Sequence, residues 1–395
     1  MLTKPAPTIP VASSLDAITP SRIRELADVA FGMEGVLKLQ FGESNLPTPQ
    51  FIKDALAQAV ADGYTYYTEN GGLPSLRAAL AEKVAALHGV ALDPAGEILV
   101  TASGVQALNV AIRCTLNPGD EAIVLTPNWP NGSEIVKLYG ATPVEIPYAY
   151  DGERFTPDLA AMEAAVTPRT RLLLYTSPSN PLGWVATVAE QQALLAFARR
   201  HGLWLLADEV YERLYYEGPV APSILRLCSR EDAVIVVQSF SKSYCMTGWR
   251  LGWVVSRRDL VRKATQLNEF IVSHAPSMIQ RAGEAALRQG EDAIAGLVEQ
   301  LHENMAFCAG ALRSVRGISL PKPQGAFYLY PRIHGLEDSF GFALALLQEE
   351  KVAVAPGSAF GAGGEGSVRI CFASERAVLE PAMERFCRFV ERYDA

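Results

Sequence analysis

The segment 234-VIVVQSFSKSYCMTGWRLGW-253 sets an apolar, β-branched run directly before a group of hydroxyls around one lysine. Residues 234–237 have the composition of a strand buried on both faces, which puts Ser239, Ser241 and Lys242 at its carboxyl end. In open α/β sheets that end is where ligands bind. The flanking chain has the rhythm such a sheet needs. Hydrophobic spacing predicts strands over 97–101, 121–125, 171–175, 203–207 and 233–237, and helices over 51–62, 73–87, 105–115 and 187–201. Strands alternating with helices imply a mostly parallel sheet covered on both sides. Beyond about residue 285 the texture changes: a long amphipathic helix over 291–315, strands near 326–330 and 368–372, and a closing helix from Glu375 read as a smaller α+β unit. The expected organisation is an arm with part of the small domain in 1–48, a large α/β domain in 49–290 and the remaining small domain in 291–395. Residues 1 to about 20, rich in Pro, Ser and Thr, read as an arm that orders only against another surface, often that of a partner subunit.

Composition narrows the function. A length of 395 residues with 49% hydrophobic content supports a large core and a buried site. The formal charge of -8, with no basic block, argues against a nucleic-acid or anionic-membrane surface. The six cysteines show no paired spacing and the five histidines are scattered, so neither a disulfide framework nor a metal site is expected. The start lacks a signal-like apolar core, and no stretch has the length of a membrane span. A soluble cytoplasmic protein acting on small molecules is the expectation.

Four features carry chemistry. Lys242 follows a buried strand, and desolvation there lowers an amine's pKa until its neutral form attacks a carbonyl. Arg250, eight residues on, can fold back so that its guanidinium joins the hydroxyls of Ser239 and Ser241 around a phosphate. A lysine for an aldehyde beside an arginine for a phosphate suggests pyridoxal phosphate. Asp208 ends the strand expected at 203–207 and can keep a pyridine nitrogen protonated, whereas Glu209 should face away into the structure. Ser103-Gly104-Val105 joins a strand to a helix and offers free backbone N–H groups to a phosphate. The glycine-rich run 361-GAGGEG-366 lacks these attributes and reads as a loop.

Together these residues resemble the class I and II aminotransferases of the fold type I pyridoxal-phosphate enzymes. The resemblance extends from about Leu39 to the C-terminus through 176-TSPSNPLG-183, 208-DEVYERL-214, 239-SFSKSYCMTGWRLGW-253, 325-GAFYLY-330 and 367-SVRICFA-373. It implies an α/β fold with a mostly parallel seven-stranded sheet in a large domain beside a smaller α+β domain. By resemblance, Lys242 bonds the cofactor and then moves the substrate's α-proton, Asp208 pairs with the ring nitrogen, and Asn180 and Tyr211 hydrogen-bond the ring oxygen. Trp129 stacks on the ring, while Ser239, Ser241, Arg250 and the N–H groups of Gly104 and Val105 hold the phosphate. Tyr67 comes from the neighbouring subunit of a homodimer, and Arg369, helped by Asn180 and the backbone of Gly42, takes the substrate carboxylate. Tyr67, Asn180 and Arg369 are found only through the resemblance.

Three departures bear on specificity. Gly42-Glu43-Ser44-Asn45 stands where the family usually has Gly-Glu-Pro-Asp, and Leu182 replaces a threonine. Val105 occupies the position of a lysine found in relatives that prefer acidic substrates. The expected activity is transfer of an amino group from a neutral or apolar L-amino acid, in preference to aspartate, to a 2-oxo acid by a ping-pong mechanism. A C–S β-lyase, a decarboxylase or a synthase on the same fold is the alternative, and a non-catalytic regulatory protein a more distant one.

Overall fold

The computed structural model describes residues 11–393. Part of the expected arm, residues 1–10, therefore lies outside the described residues. The main sheet has seven strands: β1 (Ile98–Thr101), β2 (Glu121–Thr126), β3 (Thr142–Pro147), β4 (Thr170–Thr176), β5 (Trp204–Asp208), β6 (Val234–Ser239) and β7 (Gly252–Ser256). Their spatial order is β1-β7-β6-β5-β4-β2-β3. All neighbours pair in parallel except β7, which runs antiparallel to both β1 and β6. Two strands escaped the sequence pattern. β3 carries Pro143 and Pro147 and is only partly buried, which is tolerated because it forms the sheet edge. β7 was visible only as part of a motif, and its direction depends on a tight return after Lys242.

Alternation within the strands sorts the core into two layers. Ile123, Leu125, Leu205, Ala207, Val234 and Val236 face one cluster, completed by α2 (Gln50–Ala61), α3 (Pro74–His88), α6 (Leu159–Ala165), α7 (Val188–His201) and α9 (Ser277–Gln289). Ala122, Val124, Leu206, Ile235 and Val237 face another, completed by α4 (Gly104–Thr115), α5 (Asn131–Leu138) and α8 (Arg258–Glu269). Burial on both faces explains why these strands read as unbroken apolar runs.

A third cluster unites α1 (Arg22–Phe31), α10 (Glu291–Arg313), α11 (Ser339–Glu350) and α12 (Arg376–Tyr393) with β8 (Tyr328–Leu329), while β9 (Ala355–Pro356), whose Ala355 packs with the first cluster, and β8 both pair antiparallel with β10 (Val368–Cys371), which also belongs to the third. Helix α1 bridges two clusters, since Ile23 packs with the main sheet's core and Leu26 and Ala30 pack here. The chain before α1 is tied to its own α5: Thr19 N–H donates to Glu134 Oε2 at 2.8 Å, and Lys137 Nζ donates to Thr19 Oγ1 at 3.2 Å. Among the described residues, no helix is long and apolar enough to cross a membrane.

Candidate active site

Sheet register fixes the site. Thr176 of β4 is level with Asp208 of β5, Asp208 with Val237 of β6, and Ser239 with Gly252 of β7, so Thr176, Asp208 and Ser239 share one edge. There a cavity of about 490 Å³ opens, lined by Gly42, Gly104, Val105, Trp129, Asn180, Asp208, Tyr211, Ser239, Ser241, Lys242, Arg250 and Arg369. Twelve of the fourteen residues expected from the sequence thus converge on one space. Ser103 is buried beneath the cavity, where its hydroxyl caps α4 by accepting from Gln106 N–H at 3.2 Å. Tyr67 lies outside its own chain's cavity, 91% exposed, with its ring edge-on to His274 at 5.8 Å.

Lys242 Nζ donates to the Gly42 carbonyl at 2.5 Å and lies 5.5 Å from the ring centroids of both Tyr211 and Phe327. Burial among these groups lowers its pKa to about 8, and the Arg369 charge adds to that effect. Gly42 is a glycine because Tyr328 needs the room: a Cβ there would stand 2.4 Å from the Tyr328 hydroxyl. That hydroxyl shares a 2.7 Å hydrogen bond with Tyr211, whose own pKa is raised by burial.

Asp208 has its carboxyl raised to about 6 by burial, partly offset by the Val210 N–H and by Lys242. Its Oδ1 accepts from Val210 N–H at 3.3 Å, leaving the other oxygen for a cationic partner in the cavity. Glu209 turns away, as expected for the alternate position of an extended segment: its Oε1 accepts from Ile224 N–H at 2.9 Å. Arg369 is 2% exposed and donates through Nη1 to Asn180 Oδ1 at 2.9 Å and through Nη2 to the Gln40 carbonyl, while its Nε is buried without a partner. A buried guanidinium with an unused donor and no carboxylate beside it among the described residues calls for an anionic ligand.

At the opposite end, Ser239 Oγ and Ser241 Oγ are 2.9 Å apart, and Arg250 is held in a left-handed conformation with φ 57° while Nη1 donates to the Thr247 carbonyl at 2.6 Å. As the first residues of α4, Gly104 and Val105 have no intrahelical acceptor for their N–H groups. A Cβ at Gly104 would come within 3.1 Å of Ser239 Cβ, so glycine lets the turn close on the serines without displacing them. Two hydroxyls, a guanidinium and a helix N-terminus form a dianion cradle. With the depressed Lys242 amine and the Asp208 carboxylate, the donor set fits pyridoxal phosphate.

The sequence reading missed other cavity residues: Ser21, Ile23 and Arg24 from the start of α1, Phe41, Thr176 and Tyr328. Helix α1 lay at the border of the expected arm, and nothing in its own pattern points at a site more than two hundred residues away in sequence. The unusual loop Gly42-Glu43-Ser44-Asn45 is held without its proline: Ser44 Oγ accepts from Leu46 N–H at 3.1 Å, and Asn45 N–H donates to the Ala373 carbonyl at 3.2 Å. Leu182 is buried in the main core, so its replacement of a polar residue is a local packing change.

A mostly parallel seven-stranded sheet with this constellation at its carboxyl edge, beside a smaller α+β domain, defines a fold type I pyridoxal-phosphate enzyme. More narrowly, the chain belongs to the class I and II aminotransferases, whose family it matches over residues 34–386. It is 36% identical to an aspartate aminotransferase of Pyrococcus abyssi over 379 residues, covering 95% of this chain and 97% of the relative. It is also 36% identical to aromatic-amino-acid aminotransferase 2 of Thermococcus litoralis, with coverage of 95% and 97%. The solved alanine aminotransferase of Pyrococcus furiosus superposes with a TM-score of 0.91 at 30% identity, covering 97% of this chain and 100% of that one. The protein is a pyridoxal-phosphate-dependent aminotransferase.

Proposed function

We propose that the enzyme takes its amino group from a neutral or apolar L-amino acid in preference to aspartate, and passes it to a 2-oxo acid in a second half-reaction at the same site. The observation that carries this reading is Val105. It lines the cavity beside the phosphate cradle, at the position where acid-preferring relatives place a lysine, and offers a methyl surface in place of a charge. Trp129 and Ile23 also line the cavity with apolar surface. The three relatives act, by name, on aspartate, aromatic amino acids and alanine, so the family itself does not select a donor.

The cofactor, when bound, supplies an aldehyde and an electron-withdrawing ring. Lys242 would hold the cofactor, and its Nζ, when free, would be the base that moves the proton of the substrate Cα. A pKa near 8 leaves a useful fraction of neutral amine at pH 7 to 8. Asp208, mostly ionised at pH 7, would hold the ring nitrogen protonated. Asn180 and Tyr211 would orient the ring, and Arg369 would take the α-carboxylate, which would aim the Cα–H bond. Tyr67 from a second copy completes the phosphate site in a homodimer. Six unpaired cysteines suit a reducing, cytoplasmic setting.

The test is a half-reaction scan: holoenzyme mixed with each amino acid and no acceptor, followed by the cofactor's absorbance. Alanine, leucine, methionine or phenylalanine should convert the cofactor with a higher kcat/KM than aspartate. Aspartate outpacing all four would overturn the donor assignment, and ammonia released without an acceptor would favour a lyase.

A further inference from the structure

The turn that carries Tyr211 is anchored from outside the cavity. Glu212 N–H donates to the Glu209 carbonyl at 2.9 Å, closing a four-residue turn directly after β5. Its two middle residues, Val210 and Tyr211, line the cavity, and its two ends are buried acids. Glu209 is pinned to Ile224 N–H. Glu212 points towards α3, where its Oε1 accepts from Lys83 Nζ and its Oε2 meets His88 Nε2 at 3.0 Å. His88 Nδ1 in turn accepts from Arg226 Nε at 3.2 Å, which leaves the ring's proton on Nε2, facing the carboxylate. Lys83 Nζ also stands over the Trp253 ring, 5.0 Å from its centroid. Burial alone would push the Glu212 carboxyl up, but Lys83 and His88 bring it down to about 2, so it stays charged. Lys83, His88 and Glu212 all stand outside the cavity lining.

Tyr211 is held from two sides. Its ring packs edge-on against Phe327 and Tyr328, at 5.5 and 5.8 Å, and its hydroxyl shares a hydrogen bond with Tyr328, all within the third cluster. Asp208, which is to act on the same cofactor ring, belongs to β5 of the main sheet. Left to the aromatic contacts, Tyr211 would take its position from the third cluster and not from the strand that carries Asp208. Glu212 ties the turn instead to α3, whose Leu76, Leu80 and Val84 pack in the first cluster against the sheet. A buried ion pair is seldom the most stable filling for such a space, since apolar residues of like volume often do as well; what it can add is one fixed geometry. We propose that Glu212, held by Lys83 and His88, is a positioning residue for Tyr211: it keeps the phenol hydroxyl in register with Asp208, so that both meet the same cofactor ring. This inference rests on the reading of Tyr211 as the partner of the ring oxygen and deepens it.

A hydrogen bond from Tyr211 favours negative charge on the ring oxygen, and so lowers the pH at which the bound cofactor loses its proton. The experiment is a pH titration of the holoenzyme's absorbance. Tyr211→Phe should raise the midpoint by about one to two pH units, the worth of one hydrogen bond to a charged group. The paired variant Lys83→Met with Glu212→Gln removes both charges together and strands neither. It should raise the midpoint by about 0.3 to 1 pH unit, as the hydroxyl drifts out of line. Adding Tyr211→Phe to that pair should give the midpoint of Tyr211→Phe alone, because all three changes act through one hydrogen bond. His88→Ala, which removes one of the two partners of Glu212, should shift the midpoint the same way and decides the question where the paired variant does not fold. A wild-type midpoint in the paired variant, or in His88→Ala where it alone folds, would overturn the positioning role, as would full additivity with Tyr211→Phe. A wild-type midpoint in Tyr211→Phe itself would refute the assignment of Tyr211, and the proposal with it.

Discussion

Lys242 works because its surroundings make its charge expensive without removing every partner. Burial and Arg369 bring the amine to about 8, while the Gly42 carbonyl gives Nζ a place to rest. Capture of pyridoxal phosphate by the apoprotein should therefore accelerate with pH, with a midpoint near 8 and a plateau above it, because the neutral amine is the nucleophile. Stopped-flow absorbance checks this, and a midpoint near that of free lysine would contradict the desolvated site. Lys242→Ala should leave no borohydride-stable cofactor bond and cost ~10²–10⁴-fold in kcat. One residue beyond Asp208, burial raises Glu209 to about 8, and its Oε2 and the neighbouring Tyr175 hydroxyl are both buried without partners among the described residues. Because the folded value lies above the unfolded one, this group's contribution to stability is fully present below about pH 4 and is lost as pH rises towards 8. Glu209→Gln, which keeps the oxygen facing Ile224 N–H, should remove that loss. Denaturant titrations should find the variant more stable than wild type at pH 8, by on the order of a few kcal/mol, with the gap shrinking towards pH 5.

Among the elements, β7 and the turn before α4 form one contact. A Cβ at Gly252 would stand 2.6 Å from Gly104 N, 2.6 Å from the Ser103 carbonyl carbon and 2.8 Å from the Gln238 oxygen, all backbone atoms. Gly252→Ala should cost about 1–3 kcal/mol in stability as overpacking does. It should also weaken cofactor binding, since the displaced atom is the N–H that faces the phosphate. Unchanged cofactor affinity by equilibrium dialysis would refute the cradle. The same contact shows which parts of the molecule were legible beforehand. Lys242, Asp208, Arg250 and the 103–105 turn follow a strand or open a helix, so local patterning locates them at the sheet edge. Arg369 and Asn180 sit within ordinary-looking segments, and their meaning comes from meeting each other across 189 positions. Resemblance supplied those two. Tyr328 lay in the quoted segment 325-GAFYLY-330 and Phe41 beside Gly42 without either being assigned a role, and Arg24 had neither a local pattern nor a motif, because all three reach the cavity only through the packing of α1 and β8 against segment 40–42. Helices α2, α3, α4 and α7 were readable to within about a residue at each end because apolar spacing and caps agree there.

At the scale of the whole molecule, one surface among the described residues gathers large exposed side chains. Tyr66 and Tyr67 stand beside His274, and the nearby turn exposes Phe270 at 86% together with Ile271 and Val272. Large exposed aromatics in such proximity mark an association surface. Tyr67 is directed away from its own cavity, so its expected place at a phosphate requires a second copy. In a two-fold dimer each site then combines Lys242 from one protomer with Tyr67 from its partner. Complementation tests that pairing directly. Lys242→Ala and Tyr67→Ala chains, each nearly inactive alone, should regain activity when unfolded and refolded together, because every hybrid dimer holds one site with both native residues. Random pairing makes about half the dimers hybrids, and half the sites in a hybrid are native, so about a quarter of wild-type activity should return. Refolded mixtures that stay at the level of the separate variants would place Tyr67 outside the partner's site, and activity unchanged in Tyr67→Ala alone would remove it from the phosphate cradle.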